Sequence, residues 1–141
     1  MKKERVSGAV EKAIECVAFL LVKNNKMLIE KRKMSKKVDP GKFVIPGGGI
    51  EKGETIEESL LREVKEELTV RPIQYHFLVT LPYQSSGLKF NLHYFLVTEW
   101  TGKITSNEAE SVHWRPIIGS SLDLEIDRKV LRYLPKKLQN H

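Results

Sequence analysis

The chain has 141 residues, of which 40% are hydrophobic and 30% are charged, and its formal net charge is +6. This length fits one ordinary domain that buries its own core, so neither a disulfide framework nor a structural metal is required. The longest apolar run, Cys16 to Val22, is far too short to cross a bilayer. The basic balance favours polyanionic partners such as phosphorylated metabolites, nucleic acids or a membrane surface, without choosing among them.

The N-terminal residues predict a polar lead-in over residues 1–12, followed by a single domain over residues 13–141. The lead-in is charged, but no apolar run with a small-residue cleavage site follows it as in a signal peptide, so we expect a cytoplasmic protein with no membrane partner. Cys16 is the only cysteine, which excludes an intramolecular disulfide and a cysteine-based zinc site. Its apolar neighbours predict a buried, structural thiol.

The first fifty residues predict short strands separated by turns. The expected strands are 14–22, 27–30 and 42–45, and the expected turns are 24–25 and 39–41. The run from Pro46 to Gly49 predicts irregular chain, because proline and glycine both disfavour regular structure. The lysine-rich patch over residues 30–37 (EKRKMSKK) is either a solvated loop or a surface that attracts phosphate.

A helix is predicted over residues 55–68. Thr55 and Glu58 have the spacing of a capping box, apolar residues recur at helical spacing, and Pro72 prevents the helix from continuing. Farther along, the expected elements are strands 73–83, 88–99 and 112–116, a turn at 84–87, and a helix at 122–134. Strands interleaved with two helices predict an α/β (α+β) fold, a mixed sheet covered by helices on both faces.

The first helix concentrates carboxylates beside its apolar face. Glu63, Glu66 and Glu67 are neighbours on the helix surface, and Glu67 falls inside the edge of the apolar arc. Burying an unpaired carboxylate is costly, and the end of a helix disfavours anions, so a cation is expected beside these residues. Arg62 and Lys65 can supply part of that charge. Mg²⁺ is the alternative, since it joins carboxylates to substrate phosphates.

The glycines of residues 46–49 let backbone approach a ligand closely just before this helix. From Gly48 onward, the chain resembles the box of the Nudix family: Gly, five residues, Glu, seven residues, then Arg-Glu-hydrophobic-any-Glu-Glu-any-Gly-hydrophobic. Gly48, Glu54 and the run REVKEELTV over residues 62–70 fill this pattern, with Thr69 as the only departure, where the family usually has a glycine that ends the helix. The upstream GKFVIPGG and the downstream spacing also look like the family, so the resemblance spans most of the chain.

The resemblance implies an α/β/α sandwich and a Mg²⁺-dependent hydrolase that cleaves a diphosphate bond in a nucleotide, with Mn²⁺ as a substitute. The metal ligands that it implies are Glu63, Glu66, Glu67 and the carbonyl of Gly48. Arg62 is expected to pair with Glu54 and orient the glutamates. Glu66 and Glu67 are candidate catalytic groups, but which carboxylate acts as the base stays open.

Residues 90–127 are similar to the MutT-like nucleoside triphosphate pyrophosphohydrolases. In that branch a loop glutamate often reaches the metal cluster, a place that Glu108 fills, with Glu110 in reserve and a surface acidic loop as the alternative. Asp127 stands where an Asn or Asp opening the last helix reads the base, and a helix N-cap is its alternative role. The implied substrate-binding residues are Arg32, Gly47, Gly48 and Asp127, although a solvated Arg32 fits equally well. Trp114 is expected to pack in the core or in the sheet rather than stack on a base.

The leading hypothesis is hydrolysis of a nucleoside triphosphate to a monophosphate and pyrophosphate, with oxidised purines such as 8-oxo-dGTP among the candidate substrates. One alternative is another nucleoside diphosphate derivative, such as ADP-ribose or a dinucleoside polyphosphate. Another is a non-catalytic Nudix-fold nucleotide sensor, although such domains commonly lose box glutamates and none is lost here. No recognisable nucleic-acid-binding motif is present, so we expect no stable nucleic-acid partner. We expect the protein to be a monomer or a homodimer.

Overall fold

The computed structural model describes residues 12–139, so the expected lead-in lies outside the described residues apart from Lys12, as do residues 140 and 141. The strands are β1 (Ile14–Lys23), β2 (Lys26–Lys31), β3 (Phe43–Val44), β4 (Gly47–Gly49), β5 (Arg71–Ser85), β6 (Leu88–Thr101) and β7 (Ser111–Pro116). The helices are α1 (Ile56–Leu68) and α2 (Glu125–Val130), with 3₁₀ turns at Gly119–Ser121, Leu131–Tyr133 and Lys136–Leu138. No helix within residues 12–139 is long and apolar enough to span a bilayer.

The strands form a mixed sheet in the order β3-β2-β1-β6-β5, with β4 paired to β1 and β7 paired to β2. β1 and β6 run parallel, and the other pairs are antiparallel. β5 continues to Ser85, beyond its predicted end at residue 83, because its connection to β6 is only Ser86 and Gly87, whose φ angles of 56° and 77° suit a tight hairpin turn. The mixed sheet itself is confirmed.

The two helices pack on opposite faces of this sheet, because successive side chains of a strand point to opposite sides. Phe19 of β1 lies in the cluster that contains Leu60 and Val64 of α1. The next residue, Leu20, lies in the cluster that contains Val130 of α2. The predicted covering of both faces by helices is therefore confirmed.

β1 and β2 are paired only next to their connecting turn, at Val22 with Met27 and Lys23 with Lys26. Farther from the turn, β1 pairs with β4 and β2 pairs with β3. Since residues 43–49 run continuously from β3 to β4, this segment bridges the gap between the two strands. The glycine run is therefore built into the sheet.

The prediction of irregular chain at residues 46–49 is wrong, because Gly47–Gly49 form β4. The lack of a side chain at Gly47 is what permits the pairing. A Cβ atom at that position would lie 2.3 Å from the Val17 carbonyl oxygen, so only glycine brings the two backbones this close.

The helix predicted over residues 55–68 is α1, and both halves of its capping box are present. The Glu58 N–H donates to Oγ1 of Thr55 at 3.0 Å, and the Thr55 N–H donates to Oε1 of Glu58 at 2.9 Å. At the other end, Thr69 adopts the left-handed conformation, with φ 69° and ψ 17°. The box position that departs from glycine therefore keeps the backbone geometry expected of glycine.

The helix predicted over residues 122–134 is wrong in extent, since α2 covers only Glu125–Val130. The cause is a contact distant in sequence. The Asp123 N–H donates to the Phe43 carbonyl at 2.9 Å, and the Asp123 carboxylate accepts the Phe43 N–H at 2.8 Å. These bonds hold the residues before α2 beside β3, outside a helix, and Leu131–Tyr133 tightens into a 3₁₀ turn after it.

Trp114 lies in the sheet, where its ring stacks on Trp100 with the centroids 6.2 Å apart and 19° between the planes. Both rings pack against the cluster beneath α1. The prediction that Trp114 packs in the core or in the sheet is confirmed as sheet packing, since the side chain is half-buried.

Candidate active site

A cavity of about 350 Å³ lies where the gap between β1 and β2 meets both helices. Its lining includes Glu63 and Glu67 from α1 and Asp127 from α2, so one space reaches residues attached to both faces of the sheet. β4 contributes Gly47 and Gly48. This volume is within the range of ordinary small-molecule sites.

Arg62 binds three carboxylates of the box, of which only Glu63 lines the cavity. Its guanidinium binds Glu54 through two bonds, Nε to Oε2 at 2.6 Å and Nη2 to Oε1 at 2.9 Å. Nη1 reaches Glu63 at 3.0 Å and Glu66 at 3.2 Å, and Nη2 donates to the Gly49 carbonyl at 2.8 Å. The Arg62 hydrogen bonds lower the pKa of Glu54 to about 2, so Glu54 stays ionised and anchors the arginine.

Glu63 and Glu67 are buried, whereas Glu66 is largely exposed. Burial, together with the nearby carboxylates of Glu30, Glu108 and Glu63, raises the pKa of Glu67 to about 9. Burial also raises the pKa of Glu63, although Arg62 opposes this effect. Without a cation, Glu67 therefore keeps a proton at neutral pH, and a cation would stabilise the ionised form.

Gly48 lies directly against the Glu63 carboxylate. A Cβ atom at Gly48 would lie 2.1 Å from the carboxyl carbon of Glu63, so any side chain there would displace it. The backbone of β4 and a carboxylate of α1 therefore meet at the cavity wall. This arrangement brings together the two kinds of oxygen, carbonyl and carboxylate, that hard divalent cations prefer.

The residues at this wall suit a divalent metal in their chemistry. All the side-chain donors are carboxylates, two of them buried on α1 and only partly neutralised by Arg62. Oε1 of the buried Glu30, which lines the same cavity, has no hydrogen-bond partner. Within residues 12–139, no three acidic, histidine or cysteine side chains are placed closely enough to hold a metal ion as they stand.

Glu108 lines the cavity from the loop between β6 and β7, as expected, whereas Glu110 does not. This loop is bonded to the end of α1. The Asn107 N–H donates to the Glu67 carbonyl at 3.1 Å, and the Thr105 N–H donates to the Leu68 carbonyl at 3.0 Å. The loop therefore brings Glu108 towards the α1 carboxylates, where its charge raises the pKa of Glu67.

Arg32 lines the cavity and is half-buried rather than freely solvated. Its Nε donates to the Val38 carbonyl at 2.9 Å. Lys36 is the other basic residue of the 30–37 patch in the lining, so part of this patch faces the cavity. Basic side chains in the cavity wall are suited to phosphate groups.

Asp127 is buried, with 3% of its surface exposed. Its Oδ2 accepts the Ile45 N–H at 3.0 Å, and its Oδ1 accepts the Tyr94 hydroxyl at 2.7 Å. Burial raises the pKa of Asp127 to about 6 despite these two bonds. The alternative N-cap role is wrong, because the N-cap of α2 is Leu124 and the Asp127 side chain makes no capping bond.

Two further lining residues were missed or misplaced from sequence. Glu30 is buried and faces the same side as Leu28, two residues earlier on β2, and the period-two alternation of the strand was the signal. Cys16 was expected to be buried but is half-buried in the cavity wall. Burial raises the pKa of its thiol to about 11, so the thiol stays protonated.

The family model described as NUDIX domain matches residues 13–132. The chain is 29% identical over 107 residues to the 8-oxo-dGTP diphosphatase of Escherichia coli K12, covering 76% of this chain and 82% of that protein. It is 26% identical over 103 residues to the CTP pyrophosphohydrolase of the same organism, covering 73% and 76%. Among solved structures, the MutT NUDIX hydrolase of Burkholderia pseudomallei has a TM-score of 0.78 and 20% identity, covering 89% of this chain and 100% of that one.

Proposed function

The chain belongs to the NUDIX family and is a hydrolase of pyrophosphate bonds in nucleotides, and we propose that its substrates are nucleoside triphosphates, which it cleaves to a monophosphate and pyrophosphate with Mg²⁺. One observation carries the proposal. A single cavity joins the carboxylates of α1 to the polar pair of Asp127 and Tyr94. A triphosphate needs both regions, one for the phosphates and one for the base.

The α1 side of the cavity suits the phosphates. Mg²⁺ held by Glu63, Glu67 and the Gly48 carbonyl would neutralise phosphate oxygens and lower the pKa of a water molecule. Arg62 fixes the direction of Glu63 and Glu66, and Glu66 completes the carboxylate set. Arg32 and Lys36 line the cavity and attract the remaining phosphate charge.

In the proposed reaction, water adds across the bond between the α and β phosphates. A new bond forms from the water oxygen to phosphorus, the bond from that phosphorus to the leaving oxygen breaks, and a box carboxylate accepts the proton. Burial raises the pKa of Glu67, and a bound cation would lower it and hold Glu67 ionised, so that it can accept this proton. Glu108 approaches the same carboxylates from its loop and supports their positions.

The α2 side of the cavity suits a base. Asp127 accepts one hydrogen bond on each oxygen and keeps further acceptor capacity towards the cavity. With a pKa of about 6, part of the population is protonated near neutral pH and able to donate as well. The similarity to an 8-oxo-dGTP diphosphatase makes oxidised purine triphosphates the first substrates to test.

The test is a panel of nucleotides incubated with Mg²⁺, with the products separated by chromatography. The panel contains the ordinary and 8-oxo purine triphosphates, CTP, ADP-ribose and a dinucleoside polyphosphate. We expect pyrophosphate and monophosphate from a triphosphate, loss of both products in Glu67→Gln, and unchanged turnover in the exposed control Glu99→Gln. Cleavage of ADP-ribose alone would overturn the triphosphate assignment, and binding without any cleavage would indicate a sensor.

A further inference from the structure

Glu30 is a buried carboxylate at the cavity wall, outside the box that defines the proposed metal site. It lies on β2, with 4% of its surface exposed. Its backbone is held in the sheet between Val44 of β3 and Val112 of β7, so its position is fixed by strand pairing on both sides. A charged side chain in such a place requires a partner, because an isolated buried carboxylate is strongly disfavoured.

The described residues supply that partner only in part. Oε1 of Glu30 accepts no hydrogen bond from any N–H or O–H group of residues 12–139. Oε2 lies 3.8 Å from Nη1 of Arg32, too far for a hydrogen bond, and the Nε of that arginine is already bonded to the Val38 carbonyl. Glu30 therefore keeps an unused oxygen beside the cavity.

The Glu30 carboxylate interacts with another carboxylate, that of Glu67 on α1. The two carboxyl groups are within hydrogen-bonding reach of each other, and Glu108 adds a third negative charge. Only a proton or a cation between Glu30 and Glu67 makes this contact favourable.

The α1 carboxylates consequently fall into two groups. Arg62 makes direct contacts with Glu63 and Glu66. It makes none with Glu67, whose buried side chain instead faces Glu30. On the Glu30 side the nearby basic residues are Arg32, 3.8 Å away, and Lys36, yet Oε1 of Glu30 still has no hydrogen-bond partner.

We propose that Glu30 is an additional ligand of a hard divalent cation, Mg²⁺ or Mn²⁺, which it holds together with Glu67. The inference rests on the proposed function in using the same cavity and the same metal ligand, Glu67. The box motif contains no residue of β2, so the family resemblance does not assign this role. The cation replaces the shared proton, and Glu30 makes the site more negative and hence tighter for the metal.

The test measures metal binding without nucleotide. Mn²⁺ is titrated into the full-length protein and the free ion is followed by electron paramagnetic resonance, for wild type, Glu30→Gln and the exposed control Glu99→Gln. We expect Glu30→Gln to weaken Mn²⁺ binding by roughly 10-fold or more. We also expect its Tm in chelator to equal or exceed that of wild type, since a like-charge contact is removed, and its gain in Tm on adding Mg²⁺ to be smaller.

Unchanged Mn²⁺ affinity together with an unchanged Mg²⁺-induced gain in Tm would overturn the proposal and leave Glu30 as a proton-sharing neighbour of Glu67. If Glu30→Gln does not fold, Glu30→Leu, which also removes the charge at similar volume, is measured in its place. Neither readout involves hydrolysis. A protein that cleaves nothing in the nucleotide panel can therefore still support the role of Glu30, and an active hydrolase can refute it.

Discussion

The side-chain amide of Asn107 donates a hydrogen bond of 3.0 Å to the hydroxyl of Thr69. The same amide donates to the Glu66 carbonyl at 3.0 Å, and the Thr69 hydroxyl also bonds to the hydroxyl of Thr105. The threonine that replaces the usual box glycine therefore fastens the Glu108 loop to the end of α1.

Thr69→Gly should show how this contact affects stability and how it affects catalysis. Glycine relieves the left-handed backbone of Thr69, a gain of about 1 kcal/mol, but loses hydroxyl bonds of similar total value. We expect a Tm near that of wild type and a kcat several-fold lower, because the Glu108 loop is less firmly held. Calorimetry and steady-state kinetics measure both effects. A clear rise in Tm with unchanged kcat would show that the threonine hydroxyl contributes nothing.

Glu67→Gln should abolish most activity while sparing the fold. The substitution keeps the shape of the side chain and removes the charge proposed to hold Mg²⁺, so kcat should fall by roughly 10²-fold or more. With divalent metal removed by a chelator, the Tm of the variant should be no lower than that of wild type. Near wild-type turnover at saturating Mg²⁺ would show that the metal assignment is wrong.

The same variant should also change the pH dependence of stability in metal-free protein. Folded wild type retains the Glu67 proton up to about pH 9, whereas the unfolded chain releases it near 4.5, the ordinary pKa of a glutamate. The free energy of unfolding of wild type therefore has a contribution that falls as pH rises through this window, and the glutamine variant lacks it. In urea denaturation at pH 5, 7 and 9 with a metal chelator present, the free energy of unfolding of the variant should increase relative to that of wild type as the pH rises. A constant difference would mean that Glu67 is ionised in the apo protein.

Two neighbouring glycines of β4 provide a matched pair. A methyl group at Gly48 would collide with the Glu63 carboxylate, whereas a methyl group at Gly49 meets nothing within 4 Å. We expect Gly48→Ala to lower kcat at least 10-fold by displacing a metal ligand, and Gly49→Ala to stay near wild type. Equal kinetics for the two variants would show that Gly48 and its contact with Glu63 have no role in catalysis.

Two aspartates next to and within α2 provide a second pair. Asp123 and Asp127 each accept a backbone N–H of the segment that bridges β2 and β1, from Phe43 and Ile45, but only Asp127 lines the cavity. Asp127→Ala should lower stability by about 1–3 kcal/mol, because buried donors lose their partner, and Asp123→Ala by about 1 kcal/mol or less, because its bond to Phe43 is exposed. Only Asp127→Ala should flatten the preference among purine triphosphates, mainly through KM. If both variants lose activity equally on every nucleotide, the role of Asp127 is structural only.

Local signals in the sequence predicted α1 and its ends correctly, because the capping box, the apolar period and the left-handed position all lie within 15 residues of one another. The extent of α2 was not predictable in this way. Its start depends on the bonds between Asp123 and Phe43, which are 80 residues apart in sequence. β4 was missed for the same kind of reason, since glycines become a strand only when β1 lies close beside them.

The candidate site likewise contains residues that local sequence predicts and residues whose role depends on contacts distant in sequence. The box positions were recognisable from spacing alone, and the structure brings Gly48, Glu63 and Glu67 to one cavity. Glu30 was passed over because it precedes a lysine-rich run and looks like part of a solvated patch. Its burial depends on three paired strands and on the position of α1, none of which a short window of sequence contains.

The attachment of α1 and α2 to opposite faces of the sheet bears on how such an enzyme evolves and how it can be engineered. The two helices rest on separate apolar clusters, so a substitution that reshapes the α2 surface leaves the packing beneath the α1 glutamates in place. If α2 contacts the base, as proposed, nucleobase preference can change through small substitutions around α2 while the proposed hydrolytic site is kept. Relatives named for a purine and for a pyrimidine nucleotide are what such changes would produce. A directed-evolution library confined to residues 122–131 would exploit this independence.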